Sequence, residues 1–270
     1  MAELTSVRLE PDISLAPVSF GDQLKTGEMT TAQFLATAVE LGFTAVELCD
    51  RTVREPSTVA AQLANLGLRM PSIALRNDFT GDPESSRASV SHLRHWLEVA
   101  AEFGCRTARI WTGWQRSDAV ARGQVTEALD ELVDSARMSG VALAVETHGG
   151  LSNEPAFLAE LCDRYPREHF GVCIDFGNLP AATRREAIAA IAPLTTHVHV
   201  KSHEFTDDGV EAGIPLAWAI ETVSKHGFDA QWVIEYEGAP PYKRGIDLTV
   251  ATLRGVLGRS ERHADGERLR

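Results

Sequence analysis

Short apolar runs alternate with longer amphipathic segments along almost the whole chain. The amphipathic segments place apolar residues three or four positions apart, as Phe34, Leu35, Ala38 and Leu41 do, and this spacing predicts helices. The short runs end at polar residues or glycines and predict buried strands. The predicted strands are Ile13–Phe20, Thr44–Cys49, Arg69–Leu75, Thr107–Trp111, Val141–Glu146, Gly171–Asp175, His197–Lys201 and Gln231–Glu235.

This strand and helix rhythm predicts an α/β fold. Eight strand–helix units in a chain of 270 residues have the size of a (β/α)8 TIM barrel. An open doubly wound sheet is the main alternative, but it usually has a glycine-rich phosphate loop after its first strand, and the segment from Val18 to Gln23 has none. We therefore predict a single TIM barrel over residues 1–259, followed by a short disordered polar tail at 260–270.

Composition and charge narrow the classes of partner. The formal net charge of −12 disfavours nucleic-acid binding, because phosphate contacts need a basic surface. No apolar run reaches membrane-spanning length, and the start of the chain lacks a basic segment followed by an apolar one. The scattered cysteines form no Cys-x-x-Cys pair, which favours free thiols in a reducing compartment. We expect a cytoplasmic protein without nucleic-acid or membrane partners, and leave a homo-oligomer as an open alternative to a monomer.

Four of the predicted strands end in acidic residues or carry histidines. A strand buried on both faces has no structural need of a carboxylate, and an unpaired buried charge is costly. Because side chains alternate along a strand, one residue from each of these strands points inward at the carboxyl end of the barrel. We predict that these residues bind one divalent metal ion: Glu146, Asp175, His199 and Glu235.

The chemistry of this set favours a hard ion and proton transfer. Three carboxylates and one imidazole suit Mn²⁺, Mg²⁺ or Co²⁺ better than an ion that prefers thiolates. Such an ion polarises a substrate carbonyl as a Lewis acid. Glu146 and Glu235 come from strands that are not adjacent, so they can flank a sugar and move a proton at the carbon beside its carbonyl.

The same motifs resemble those of the sugar phosphate isomerase/epimerase family, the xylose isomerase-like TIM barrels. The resemblance covers the whole barrel and implies that the four residues hold one metal, commonly Mn²⁺, with Mg²⁺, Co²⁺ or Zn²⁺ as alternatives. It also implies that Glu146 and Glu235 form the acid/base pair of the ketose 3-epimerases. Its motifs are Ala-Val-Glu146-Thr-His148-Gly-Gly, Cys-Ile-Asp175-Phe-Gly-Asn178, His-Val-His199-Val-Lys201, Val-Ile-Glu235-Tyr-Glu237-Gly and Phe43-Thr-Ala-Val-Glu47-Leu.

Two positions separate this chain from the epimerases that it resembles. Those enzymes carry a histidine where this chain has Asn178, and the Glu146-x-His148 arrangement looks more like branches that act on keto-glycosides, in which this histidine is a candidate base for elimination. We therefore predict an isomerase or epimerase of a sugar or keto-sugar that works through an enediolate. The alternative is a lyase or dehydratase of a keto-sugar, keto-glycoside or inosose.

Further residues complete the predicted site. Lys201 lies just above His199, which favours substrate contact or proton transfer, and His148 either acts on the substrate directly or only hydrogen-bonds a carboxylate. Arg109 either pairs with a barrel acid or grips a substrate oxygen or phosphate, and Trp111 either forms a wall of the sugar site or packs under a loop. The predicted substrate contacts are Glu47, Arg109, Trp111 and Asn178.

Two other classes of function are less favoured. A phosphodiesterase resembling endonuclease IV holds three zinc ions with many histidines, whereas strands two, three and four here offer Glu47, Arg76 and Arg109. A non-catalytic sugar-binding barrel would have lost a metal ligand or an acid, and all four ligands are present. The sequence therefore favours an enzyme with a small-molecule substrate.

Overall fold

The computed structural model describes residues 13–113, 116–226 and 231–268, and only the backbone of 260–268. Parallel strands pair in sequence order and close into a barrel, with β1 hydrogen-bonded to β8. This topology confirms the predicted (β/α)8 barrel. The strands are β1 Ile13–Leu15, β2 Ala45–Cys49, β3 Arg69–Ala74, β4 Thr107–Ile110, β5 Ala142–Glu146, β6 Phe170–Asp175, β7 Thr195–Ser202 and β8 Gln231–Tyr236.

Helices surround the barrel, and those from α2 to α8 each bury apolar residues against it, whereas the short α1 buries none. Several begin at side chains that accept hydrogen bonds from the first backbone N–H groups of the helix, as Asp82 and Asp118 do. The helices are α1 Gln23–Thr26, α2 Thr31–Glu40, α3 Pro56–Leu66, α4 Pro83–Glu102, α5 Ala119–Ser139, α6 Pro155–Arg164, α7 Arg184–Ile191, α8 Leu216–Ser224 and α9 Tyr242–Arg268.

The first strand is shorter than predicted, and the last helix runs into the predicted polar tail. The predicted strand Ile13–Phe20 is too long, because Pro17 begins a 3-10 turn that runs to Phe20. At the other end, α9 continues to Arg268, although Leu257 is the last of its residues that packs against the core among the side chains described. The barrel boundary at residue 259 therefore stays a prediction.

Other expectations concern the cysteines and the membrane. All four cysteines are free, as their spacing predicts. Burial raises the pKa of Cys173, inside the barrel, to about 12, so this thiol stays protonated at neutral pH.

Within the described parts of the chain, no helix combines the length and the apolar character that crossing a bilayer requires.

Helix α9 offers a matched test of its packing. A Cβ at Gly245 would overlap the ring of Tyr236 on β8, whereas the nearest atom to a Cβ at Gly255 is Arg259 Nη1, 3.7 Å away. We expect Gly245→Ala to lower the free energy of unfolding by about 1–3 kcal/mol through overpacking. Gly255→Ala should raise it by about 0.5–1 kcal/mol, because alanine favours the helix. Urea denaturation of both variants measures these changes, and equal effects would contradict the packing described.

Candidate metal centre and active site

Four buried side chains from β5, β6, β7 and β8 meet at the carboxyl end of the barrel. One ligand atom from each lies within 4.8 Å of the others, and all four side chains are buried: Glu146, Asp175, His199 and Glu235. Glu146 and Asp175 are the last residues of β5 and β6, Glu235 is next to last in β8, and His199 lies three residues before the end of β7. The closed barrel brings together these side chains, which are far apart in sequence. The structure thus brings together the four side chains that alternation along the strands predicts to converge.

The imidazole of His199 is held in one orientation by Glu47. Nε2 of His199 lies 2.9 Å from Glu47 Oε1, while Nδ1 lies 3.1 Å from Glu146 Oε1 and 3.2 Å from Glu235 Oε1. The Nε2 proton therefore points to Glu47, and Nδ1 faces the carboxylates. A metal-binding histidine commonly donates its second N–H to a carboxylate in this way.

The donor set fits a divalent cation. In a neutral His199 that donates from Nε2, the lone pair of Nδ1 would face two carboxylate oxygens, so this nitrogen needs a metal ion or a proton. Burial opposes protonation, but the carboxylates of Glu235 and Glu47 raise the pKa of His199 well above its ordinary value. Asp175 Oδ2 is buried, and its polar neighbour is the ammonium of Lys201, 3.0 Å away in an ion pair that lacks hydrogen-bond geometry. Three carboxylates with one imidazole supply the ligands of a hard or borderline ion.

Lys201 brings a positive charge to the same acids. Its Nζ lies 3.0 Å from Asp175 Oδ2, 3.3 Å from Glu235 Oε2 and 2.8 Å from Glu237 Oε1. Although burial alone would lower the pKa of Lys201, these carboxylates raise it, so the ammonium stays charged. Gly177 makes room for this side chain, because a Cβ there would lie 2.7 Å from Lys201 Cδ.

Arg109 and Trp111 both hold Glu146. Arg109 Nε lies 3.3 Å from Glu146 Oε2, and the indole Nε1 of Trp111 donates to the same oxygen at 2.5 Å. The guanidinium of Arg109 also lies over the Trp111 ring, 4.9 Å from its centroid. Burial raises the pKa of Glu146, but Arg109, His148 and His199 together lower it well below its usual range. Glu146 is therefore ionised and ready to accept a cation.

His148 and Asn178 lie at the outer side of Glu146. The His148 ring stacks on Trp111, with centroids 4.6 Å apart and planes inclined by 24°. Asn178 Nδ2 lies 3.0 Å from His148 Nδ1, and Asn178 Oδ1 accepts a hydrogen bond from Lys201 Nζ at 3.0 Å. Its backbone N–H donates to Asp175 Oδ1, which fixes the turn after β6. Asn178 thus links both sides of the site.

The sequence predicts Glu47 as a substrate contact, but its side chain lies deeper in the barrel than the candidate ligands. It is 1% exposed, and both its oxygens have partners, because Oε1 contacts His199 while Oε2 contacts His197 Nε2 and accepts from Ser72 Oγ. The structure therefore places Glu47 beneath the four candidate ligands, where it orients His197 and His199. Arg109 likewise pairs with a barrel acid, one of the two alternatives that the sequence leaves open.

Asn77 is a residue of the site that the sequence pattern does not reveal. Its side chain bonds both backbone polar atoms of Trp111, since Nδ2 donates to the carbonyl at 2.6 Å and Oδ1 accepts from the N–H at 2.8 Å. This pair of bonds fixes the loop after β4 and with it the indole that donates to Glu146. An amide that bonds only to the backbone of another loop leaves no motif in the sequence.

Both the fold and this residue set define a parallel barrel with a polar centre at its carboxyl end. The chain belongs to the Xylose isomerase-like TIM barrel family, whose profile matches residues 35–254. No curated protein matches the chain in sequence. Structural neighbours are numerous, and their TM-scores show a shared fold. Because their sequence identity to this chain is low, the likeness shows the fold alone.

Three solved structures illustrate this likeness. A xylose isomerase-like TIM barrel protein from Mycobacterium smegmatis in complex with magnesium is 17% identical, with a TM-score of 0.72, covering 91% of this chain and 96% of its own. The 3-keto-D-glucoside 4-epimerase of E. coli is 18% identical, with a TM-score of 0.73 and coverage of 91% and 100%. A probable 3-DHS dehydratase from Bacillus anthracis is 17% identical, with a TM-score of 0.67 and coverage of 89% and 98%.

Removal of the Glu47 charge should weaken metal binding without touching a ligand. We expect Glu47→Gln to lower the affinity for Mn²⁺ by about 10- to 100-fold, because the His199 imidazole loses its carboxylate partner. Isothermal titration calorimetry measures the affinity. Glu40→Gln makes the same change in charge at an exposed position at the end of α2 and should bind as the unchanged protein does. Equal affinities for all three proteins would contradict the role of Glu47.

Proposed function

We propose that this protein is a divalent-metal-dependent isomerase or epimerase of a sugar or keto-sugar. The observation that carries the proposal is the pair of buried carboxylates, Glu146 and Glu235, that flank one imidazole nitrogen at 3.1 and 3.2 Å. Both belong to the set that would hold the metal, with Asp175 and His199. A bound divalent ion would polarise the substrate carbonyl as a Lewis acid.

The residues of the chain supply the proton transfer. One of the two glutamates takes the proton from the carbon beside the carbonyl, and the electron pair of that C–H bond moves to give an enediolate. Return of a proton from the opposite glutamate inverts the carbon, and return to the neighbouring carbon exchanges aldose and ketose. Lys201, which faces Glu235, keeps positive charge beside the developing oxyanion.

A metal-dependent lyase or dehydratase of a keto-sugar, keto-glycoside or inosose is the second candidate. It needs the same enediolate, from which a leaving group departs at the next carbon. His148 favours it, because a ring nitrogen lies 3.4 Å from Glu146 and the ring is only partly buried at the mouth of the barrel. The names of the structural neighbours include an epimerase and a probable dehydratase, so they are compatible with either reaction.

The substrate-facing groups follow from the same geometry. We propose Trp111 and Asn178 as contacts of the bound sugar, because both border the carboxylates and neither is fully buried. Mn²⁺ remains the proposed ion, and the magnesium complex of one neighbour supports a divalent cation without choosing among them. A small uncharged sugar or keto-sugar suits this centre, because the cationic side chains Arg109 and Lys201 already face acids.

The acid/base pair can be tested by isotope exchange. We expect Glu235→Gln to slow turnover by about 10²- to 10⁴-fold, because the amide cannot accept a proton. The assay incubates the manganese-loaded protein with ketoses and 3-keto-glycosides in D2O and follows deuterium at the carbon beside the carbonyl. Glu221→Gln, which alters an exposed glutamate paired with Lys225 on α8, serves as the control. Normal exchange in Glu235→Gln would refute the assignment of Glu235.

The mass of the product separates the two reactions. Isomerisation or epimerisation leaves the mass of the sugar unchanged, whereas elimination releases water or the group attached through the glycosidic bond. Mass spectrometry of the products from the same incubation therefore decides between them. Removal of the metal with a chelator should stop either reaction, and restoration by Mn²⁺ should recover it.

A further inference from the structure

Two segments at the carboxyl end of the barrel meet beside Lys201. One is the turn between β6 and α7, residues 176–183, and the other is the loop between β7 and α8, residues 203–215. A Cβ at Gly177 in the turn would lie 2.7 Å from Lys201 Cδ and 3.2 Å from Ile214 Cδ1 in the loop. The turn therefore packs closely against both the lysine and the loop, and a small shift between the two segments would disturb this contact.

A buried carboxylate fixes each segment internally. Asp175 Oδ1, at the end of β6, accepts hydrogen bonds from the backbone N–H groups of Gly177 and Asn178 at 2.7 and 3.0 Å. In the loop, Glu211 Oε2 accepts from the backbone N–H of Gly213 at 2.8 Å. Each of these carboxylates bonds within its own segment, so another group has to hold the turn against the loop.

The guanidinium of Arg184, the first residue of α7, joins the two segments. Its Nη1 donates to the carbonyl of Gly213 in the loop at 2.7 Å. Its Nε and Nη2 donate to the carbonyls of Leu179 and Gly177 in the turn at 3.2 and 3.3 Å. Among the described residues, no hydrogen bond runs directly between the turn and the loop. The planar fork of an arginine can satisfy several carbonyl oxygens at once, which a lysine or an amide cannot do in the same geometry.

We propose that Arg184 is a positioning residue of the candidate metal centre and fixes the orientation of Asp175 through the turn. The chain of contacts is short, because Arg184 bonds the carbonyl of Gly177 and the N–H of Gly177 bonds Asp175 Oδ1. Asp175 is one of the four candidate ligands, and a carboxylate that is fixed beforehand loses less freedom when an ion binds. The same turn carries Asn178, so Arg184 also determines where the side chain of Asn178 lies.

Hydrogen exchange followed by NMR tests the link from Arg184 to the turn without metal or substrate. In the full-length protein, we expect Arg184→Gln to speed the exchange of the Gly177 and Asn178 amides by about tenfold or more, because the turn can then open away from Asp175. Amides in the strands of the barrel should exchange as they do in the unchanged protein. This difference separates a local loosening of the turn from a general loss of stability.

Two other arginines provide matched controls. Arg167 also donates to two backbone carbonyls, those of Pro193 and Thr195, but at the amino end of β7, the end of the barrel opposite the candidate ligands. Arg185 follows Arg184 on α7, and its guanidinium lies over the Trp218 ring, 4.5 Å from the centroid. Arg167→Gln and Arg185→Gln should both leave the exchange of the turn unaltered.

Metal affinity tests the step from the turn to Asp175. We expect Arg184→Gln to lower the affinity for Mn²⁺ by about tenfold, the low end of what the partners of metal-binding side chains contribute. Arg184→Lys keeps a cation that can bond some of the carbonyls and should have a smaller effect. Isothermal titration calorimetry measures the affinity, and the control variants should bind as the unchanged protein does.

Defined outcomes would overturn the proposal. Unchanged exchange in Arg184→Gln, or an equal increase in Arg167→Gln, refutes the link to the turn. Faster exchange with unchanged affinity for Mn²⁺ refutes the step to Asp175. If Arg184→Gln does not fold, Arg184→Lys is measured in its place, and exchange and affinity like those of the unchanged protein would count against the proposal.

A kinetic measurement addresses Asn178, and this part rests on the proposed function. With a sugar that the protein turns over, we expect Arg184→Gln to raise KM by about threefold or more, because Asn178 is a proposed substrate contact. This rise should disappear when the change is made in Asn178→Ala. An equal rise in both backgrounds would refute the path through Asn178. If no sugar reacts, the proposed function fails, whereas the exchange and affinity results still decide the role of Arg184.

Discussion

Negative charge buried at the carboxyl end of the barrel is the constraint on which the rest of the structure depends. Asp175 is fully buried and Glu146 and Glu235 nearly so, in a region where an uncompensated charge is costly. Burial raises the pKa of Asp175, and the charges of Glu235 and Glu146 raise it further, against the effect of Lys201. The cationic side chains near the centre compensate this buried negative charge, and a divalent ion would be the most compact compensating charge.

The partners of these acids come from separate elements that only the closed barrel brings together. Arg109 on β4 forms an ion pair with Glu146, and Lys201 on β7 forms ion pairs with Asp175 and Glu235. The loop after β4 adds the indole N–H of Trp111, which Asn77 of the neighbouring loop holds in place. The stability of the fold and the geometry of the site are therefore two results of one arrangement, in which each strand end contributes a charge or a hydrogen bond.

The sequence predicts the convergence of these four side chains well because strand periodicity fixes which way a side chain points. Glu146 and Asp175 each close a strand, so alternation and the closed barrel suffice to bring them together. Depth along the barrel is harder to predict. Glu47 is the third residue of β2 and faces Ser72 in the register, and this places it below the centre, where no rule of alternation distinguishes it from a residue at the rim.

Local departures from the predicted structure have physical causes that the periodicity of the sequence does not reveal. Pro17 ends the first strand early, since it has no N–H for the ladder. The side chain of Asn77 hydrogen-bonds to backbone atoms of Trp111, and any loop sequence offers the same atoms. The partners of Arg109 and His148 depend on differences of a few tenths of an ångström between alternative contacts. The pattern of residues along the chain contains no information on such differences.

The polar interior beneath the centre has a consequence for protein engineering. Glu47, His197 and Ser72 form a buried hydrogen-bonded group where most barrels would gain stability from aliphatic packing. A redesign that selects only for thermal stability would replace this group with apolar residues and keep the fold. The resulting barrel would have an unsupported His199, so the interior of this protein is a place where selection for stability and selection for chemistry pull in opposite directions.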